Sequence, residues 1–227
     1  MTKLLKTEKE VLHAFQALPQ YLKKLDDINK ELAFGIKENH PQQKSHMIIH
    51  QSKIEEYIKI LYSINVHFEI PKKHNIYNFT WKSEIQNTTF SNKNFYYEIA
   101  AMYYNHGVLF FNQALELMQS NDSKVLKNAL NFFRIAMWSF GEIQKCIGNC
   151  AATGTILPEL QDQNTRTCQL LSTAYAYKCF YLLKPKFQDD ILMMNSLHKS
   201  TGINFNLALQ QMQQMKGKQF QNFQSLL

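Results

Sequence analysis

Apolar residues recur every three or four positions through residues 7–37, where Val11, Leu12, Phe15, Leu18, Leu22, Leu25, Ile28 and Leu32 line one side of a helix that Pro19 kinks or divides. After a break at Asn39-His40-Pro41, the same spacing predicts a helix over residues 44–64, with Ile54, Tyr57, Ile58 and Leu61 on one side. Between Asn65 and Trp81 the period shortens to two, in Val66, Phe68 and Ile70 and then in Tyr77, Phe79 and Trp81. This predicts two short strands around the polar turn at residues 71–75. So small a sheet is stable only when packed on helices.

Past the polar residues 87–93, a segment over residues 94–119 is aromatic almost all round, which marks a helix at the centre of the core. Asn121-Asp122-Ser123 can cap the next helix by accepting bonds from its free amides. That helix reaches about Ile147 and ends near Gly148 and Gly154, where the chain can turn. Another starts after Pro158 and runs to Leu183, stopping before Pro185. A last helix covers residues 186–216, loosened near Gly202, and the glutamine-rich residues 210–224 fray. The small residues Ala100, Gly107, Ala114, Ala129 and Ala136 stand where two antiparallel helices approach closely, as in a tetratricopeptide unit. No such unit recurs at a spacing of ~34 residues, and a tryptophan-bearing strand pair is foreign to such arrays.

Composition narrows the class. With 45% hydrophobic residues, 7 Gly and 5 Pro among 227 residues, the chain is too apolar for disorder and too poor in turn residues for a mainly β fold. No Gly/Pro/Ser-rich linker divides it, so residues 1–227 read as one domain. The net charge of +7 favours a partner with an acidic surface, tubulin included. Its lysines are scattered rather than gathered in a phosphate-gripping arm, and nucleic acid is not an expected partner. Neither a secretory signal nor ~18 consecutive apolar residues occur, so a cytoplasmic location, or attachment to a cytoplasmic structure such as a cilium or the cytoskeleton, is expected.

Little in the chain suggests chemistry. His46 and His50 have the four-residue spacing of a zinc site, but Met47 stands where a zinc hydrolase needs its glutamate, and no third ligand is evident. Cys146, Cys150, Cys168 and Cys179 contain no Cys-x-x-Cys pair and read as small core residues. Glu98 sits among Phe95, Tyr96, Tyr97 and Ile99, where a carboxylate needs a hydrogen-bonding partner, so its expected role is to tie a loop or neighbouring helix. Asn105 has the same structural reading, and Trp81 reads as core. Neither Glu98 nor Asn105 has a companion that completes a nucleophile and base pair, so no enzyme, no metal and no cofactor are expected.

One run of motifs carries a resemblance. Phe79-Thr80-Trp81, then Tyr97-Glu98-Ile99-Ala100 and Tyr104-Asn105-His106-Gly107, resembles the central strand and helix of the BRO domain family. Phe132-Phe133-Arg134-Ile135-Ala136 through Phe140 is similar to the family's next helix. Ala174-Tyr175-Ala176-Tyr177-Lys178 falls where the family has alanine-glutamine-alanine-glutamine-glutamate, so its polar row is altered here. The resemblance is clearest over residues 57–183 and implies a mainly α fold: a tetratricopeptide-like antiparallel helix stack with a small β-hairpin, shortened by the family's later helices. It implies a non-enzymatic scaffold whose apolar patch receives an amphipathic helix from the tail of an ESCRT-III subunit. Phe140, Ile143 and Ile147 are the candidate partner-binding residues, spaced by three and four, although a stripe facing the core has the same spacing. The alternative is a structural subunit locked into a large assembly such as a tubulin-binding axonemal complex, favoured by the shortened domain, the altered motif and the basic balance.

Overall fold

The computed structural model describes residues 43–68, 78–83, 85–150, 156–183 and 191–214, with the isolated positions Gln20 and Lys23. The helix expected over residues 7–37, including its kink at Pro19, lies outside the described residues but for those two. The chain divides into two compact units, Met1–Tyr77 and Asn78–Leu227. In the first, helix α1 spans Gln43–Phe68, with Tyr57, Leu61 and Ile64 buried along one side. It runs through Val66 and Phe68, which the period of two had given to a strand. That is a correction: three alternating residues are too short a signal against a helix already under way.

The second unit opens with a hairpin of β1 (Phe79–Ser83) and β2 (Thr88–Asn92), antiparallel, with Trp81 opposite Phe90. Its partner strand is thus the segment read as polar, not residues 66–70. Thr80 and Ser91 bond across it at 3.2 Å, and Asn87 at φ 53° takes the left-handed turn that asparagine tolerates best after glycine.

Among the described residues four helices follow, α2 (Phe95–Met118), α3 (Ser123–Asn149), α4 (Asp162–Leu182) and α5 (Ile191–Gln214), with a 3-10 turn, Pro158–Leu160, ahead of α4. Two caps set the first boundaries. The side chain of Asn94 accepts from the Tyr96 amide at 2.8 Å, and that of Asp122 accepts from the Lys124 amide at 2.8 Å. Pro158 stands in the first turn of the 3-10 segment, where a missing N–H costs nothing. Helix α5 continues through Gly202 without the expected break. A lone glycine costs a helix only ~1 kcal/mol relative to alanine, less than its neighbours supply.

Side-chain pairs give the topology. Tyr104 meets Phe140, His106 meets Ser139, and Phe110 meets Phe132, so as α2 advances its partners on α3 recede. The same inversion links α3 to α4 (Phe133–Tyr175, Gln144–Thr165) and α4 to α5 (Tyr175–Phe205, Tyr181–His198). Unit two is therefore an antiparallel helix stack in chain order. Its core is tied by aromatic rings: Phe111 is edge-on to Phe133 and to Tyr175, Tyr175 stacks on Phe133 at 5.4 Å, and Phe205 meets Tyr175 edge-on at 5.1 Å. Ala100, Ala114, Ala129 and Ala136 are fully buried between them. Among the described residues no helix is long and apolar enough to cross a membrane.

Candidate protein-docking faces

The hairpin is held by two carboxylates. Glu98, 3% exposed in the first turn of α2, accepts from the Trp81 indole N–H at 2.6 Å. Glu159, in the 3-10 turn and 7% exposed, accepts from the Ser83 hydroxyl at 2.9 Å and the Ile85 amide at 3.1 Å with the same oxygen. Phe79 closes the seam edge-on to Phe95, with centroids 5.3 Å apart. The Leu157 amide donates to the Tyr97 hydroxyl at 3.1 Å, which ties α2 to the loop before α4. Both acceptors are buried, where a hydrogen bond left unmade costs the full desolvation of its groups, so these bonds fix the hairpin to the helices. Trp81 is half-buried, and so is Asn105 on α2.

Burial also sets the titrating groups. It pushes Tyr97 up to about 12, the nearby carboxylates Glu159 and Glu98 adding to the shift, and it holds Tyr104 well above the usual phenol range. The thiols move the same way, Cys168 to about 12 and Cys150 and Cys179 to about 11 through burial. A thiol that stays protonated at neutral pH is a poor nucleophile and a poor metal ligand. His46 and His50 lie on α1, their side chains outside those described; among the described residues no three His, Cys, Asp or Glu come together to hold a metal.

The partner-binding residues expected from sequence fall differently. Phe140 and Ile143 are buried, with the Phe140 ring against Gly107 and Tyr104 of α2, and only Ile147 is half-exposed. Of the two readings of this stripe, docking patch or core, Phe140 and Ile143 take the core one. The exposed large side chains lie elsewhere. On α4, Tyr177 is 36% and Tyr181 42% exposed, one turn apart and in line with exposed Arg166 and half-exposed Leu170. On the outward side of α3, Trp138 is 51% exposed. Both were legible only as aromatics in a helix, because sequence spacing does not say which side of an aromatic-rich helix faces water.

The comparisons agree with this geometry. The family model of the BRO1-like domain matches residues 12–225. A solved structure titled "ALIX BRO1 CHMP4C complex" is similar in fold, with a TM-score of 0.70 and 18% identity over 95% of this chain and 64% of that one. The chain thus spans a little under two thirds of that relative's length. A comparison with curated proteins finds no match. A family match over nearly the whole chain, joined to the hairpin clamped on an antiparallel helix stack, places this chain in the BRO1-like domain family.

Proposed function

We propose that this chain is a non-enzymatic, cytoplasmic scaffold that docks an amphipathic helix from the tail of an ESCRT-III subunit. The observation that carries this reading is the solvent-facing row Arg166, Leu170, Tyr177 and Tyr181 on α4, at the spacing an incoming helix uses for its own anchors. Family membership supports it, as does a relative solved with CHMP4C bound. Tyrosine suits such a row, since it offers a large rigid contact with few torsions to freeze. Tyr177 stands where the family resemblance has a glutamine, so the partner helix meets an aromatic ring here and presents an aliphatic side chain to it.

The test is titration of the whole chain with a labelled peptide of the CHMP4C tail helix. The expected Kd is on the order of 10 µM, weakened about tenfold, or ~1.4 kcal/mol, in Tyr177→Ala/Tyr181→Ala with melting unchanged. No binding at ~1 mM peptide overturns the reading. A subunit locked into an axonemal or other assembly would ignore the peptide and stay with its assembly through a high-salt wash.

A further inference from the structure

Helix α3 carries a second surface that the α4 row does not involve. Lys127, Arg134, Trp138, Glu142 and Lys145 are spaced by three, four and seven, so they share one side of α3, away from the buried Phe133, Phe140 and Ile143. Lys127, Arg134 and Lys145 are exposed. At 1.5 Å per residue, Arg134 stands ~10 Å along the axis from Lys127 and ~16 Å from Lys145. The one carboxylate among these five residues, Glu142, is taken by Lys145 at 2.5 Å, yet the Lys145 side chain remains 71% exposed. Three cations against one engaged acid leave this side of the helix positive.

Trp138 stands between them. Its ring is edge-on to buried Tyr103 of α2, centroids 5.5 Å apart and planes at 89°. An indole propped in this way is already fixed, so covering it costs little side-chain entropy. A membrane is the less suitable occupant. An interfacial helix immerses a broad apolar face, and that face of α3 is already spent on the stack, leaving one half-exposed ring among cations.

We propose that this side of α3 docks an acidic amphipathic helix of another protein, its carboxylates meeting Lys127, Arg134 and Lys145 while an apolar side chain covers Trp138. The site lies on a different helix from the α4 row and does not depend on the ESCRT-III reading. Exposed cations act mainly on association rate and salt dependence, and an aromatic anchor on the lifetime of the complex, so the two contributions are separable.

The experiment titrates the whole chain with a labelled, ~20-residue helical peptide carrying a glutamate face and a leucine face, which spans ~30 Å. Support is binding that weakens at least tenfold from 50 to 300 mM salt, at least tenfold in Lys127→Glu/Arg134→Glu, and at least tenfold in Trp138→Ala, with unchanged melting of the variants. Equal binding of the same peptide with glutamine in place of glutamate overturns the proposal, as does a charge-reversed variant within twofold of the parent. Loss of binding in Tyr177→Ala/Tyr181→Ala also overturns it, because the peptide then sits on α4. Retention on phosphatidylserine vesicles that Arg134→Glu abolishes, without competition by the peptide, overturns it in favour of a lipid surface. Failure of the CHMP4C peptide alone leaves this site intact and removes only the ESCRT-III reading.

Discussion

At Gly107 the pairing of α2 and α3 leaves no room for a methyl group. A Cβ there would lie 2.7 Å from Phe140 Cε1 and 2.8 Å from its Cζ. The ring belongs to a buried side chain and cannot swing away without opening the core, so Gly107→Ala should destabilise the fold by about 1–3 kcal/mol, measured by urea unfolding. An unchanged midpoint would mean that the helices stand further apart. Tyr97 makes a different residue-scale prediction. Its phenol is pushed up to about 12 chiefly by burial, so the folded state holds a proton that the unfolded chain releases near 10. The stability tied to that proton is intact below pH 10 and is lost as pH rises from 10 to 12. Tyr104 and the buried thiols shift in the same direction and steepen the fall. In denaturant titrations the wild type should lose stability over that window, and Tyr97→Phe should lose less of it.

The hairpin is the element that residue patterning misplaced. Phe79 and Trp81 were correctly read as strand, because their alternation and aromatic character suit a half-buried sheet. Their partner was missed since Thr88-Thr89-Phe90-Ser91 is mostly polar: four of the five residues of β2 carry polar side chains, and only Phe90 and Asn92 are half-buried. A two-stranded sheet so exposed depends on its anchors. Glu159→Ala removes the acceptor for the Ser83 hydroxyl and the Ile85 amide, both buried, and should cost about 2–4 kcal/mol. Glu159→Gln keeps an acceptor oxygen and should cost clearly less. Hydrogen exchange at the Ile85 amide reads the difference, and equal protection in both variants would show that the clamp is not what holds the hairpin.

Across the molecule, stability of the second unit runs through Tyr175, the ring that touches Phe111, Phe133 and Phe205 and so joins α2, α3, α4 and α5. Lys178 adds a cation 5.9 Å from its centroid. Tyr175→Ala should cost about 3 kcal/mol and broaden the unfolding transition, because α5 loses an aromatic link to the rest of the stack. If calorimetry still gave one sharp transition at the wild-type temperature, the ladder would be incidental. The altered Ala174-Tyr175-Ala176-Tyr177-Lys178 motif thus serves two ends. Tyr175 faces the interior and Tyr177 faces solvent, a division that follows from their placing on opposite sides of one helix.

The sequence alone was enough for helices α2, α3 and α4, the cap at Asp122, and the family likeness, because these depend on near neighbours and on the order of short motifs. It could not tell which side of each aromatic helix faces water. Phe140 and Trp138 are two residues apart with equal claims to the core, and only the neighbours that fold against α3 decide that one is enclosed and the other exposed. The pairing of Glu159 with Ser83, remote along the chain, is of the same kind. Local propensity is written in adjacent residues, whereas burial is a property of the surfaces that happen to meet.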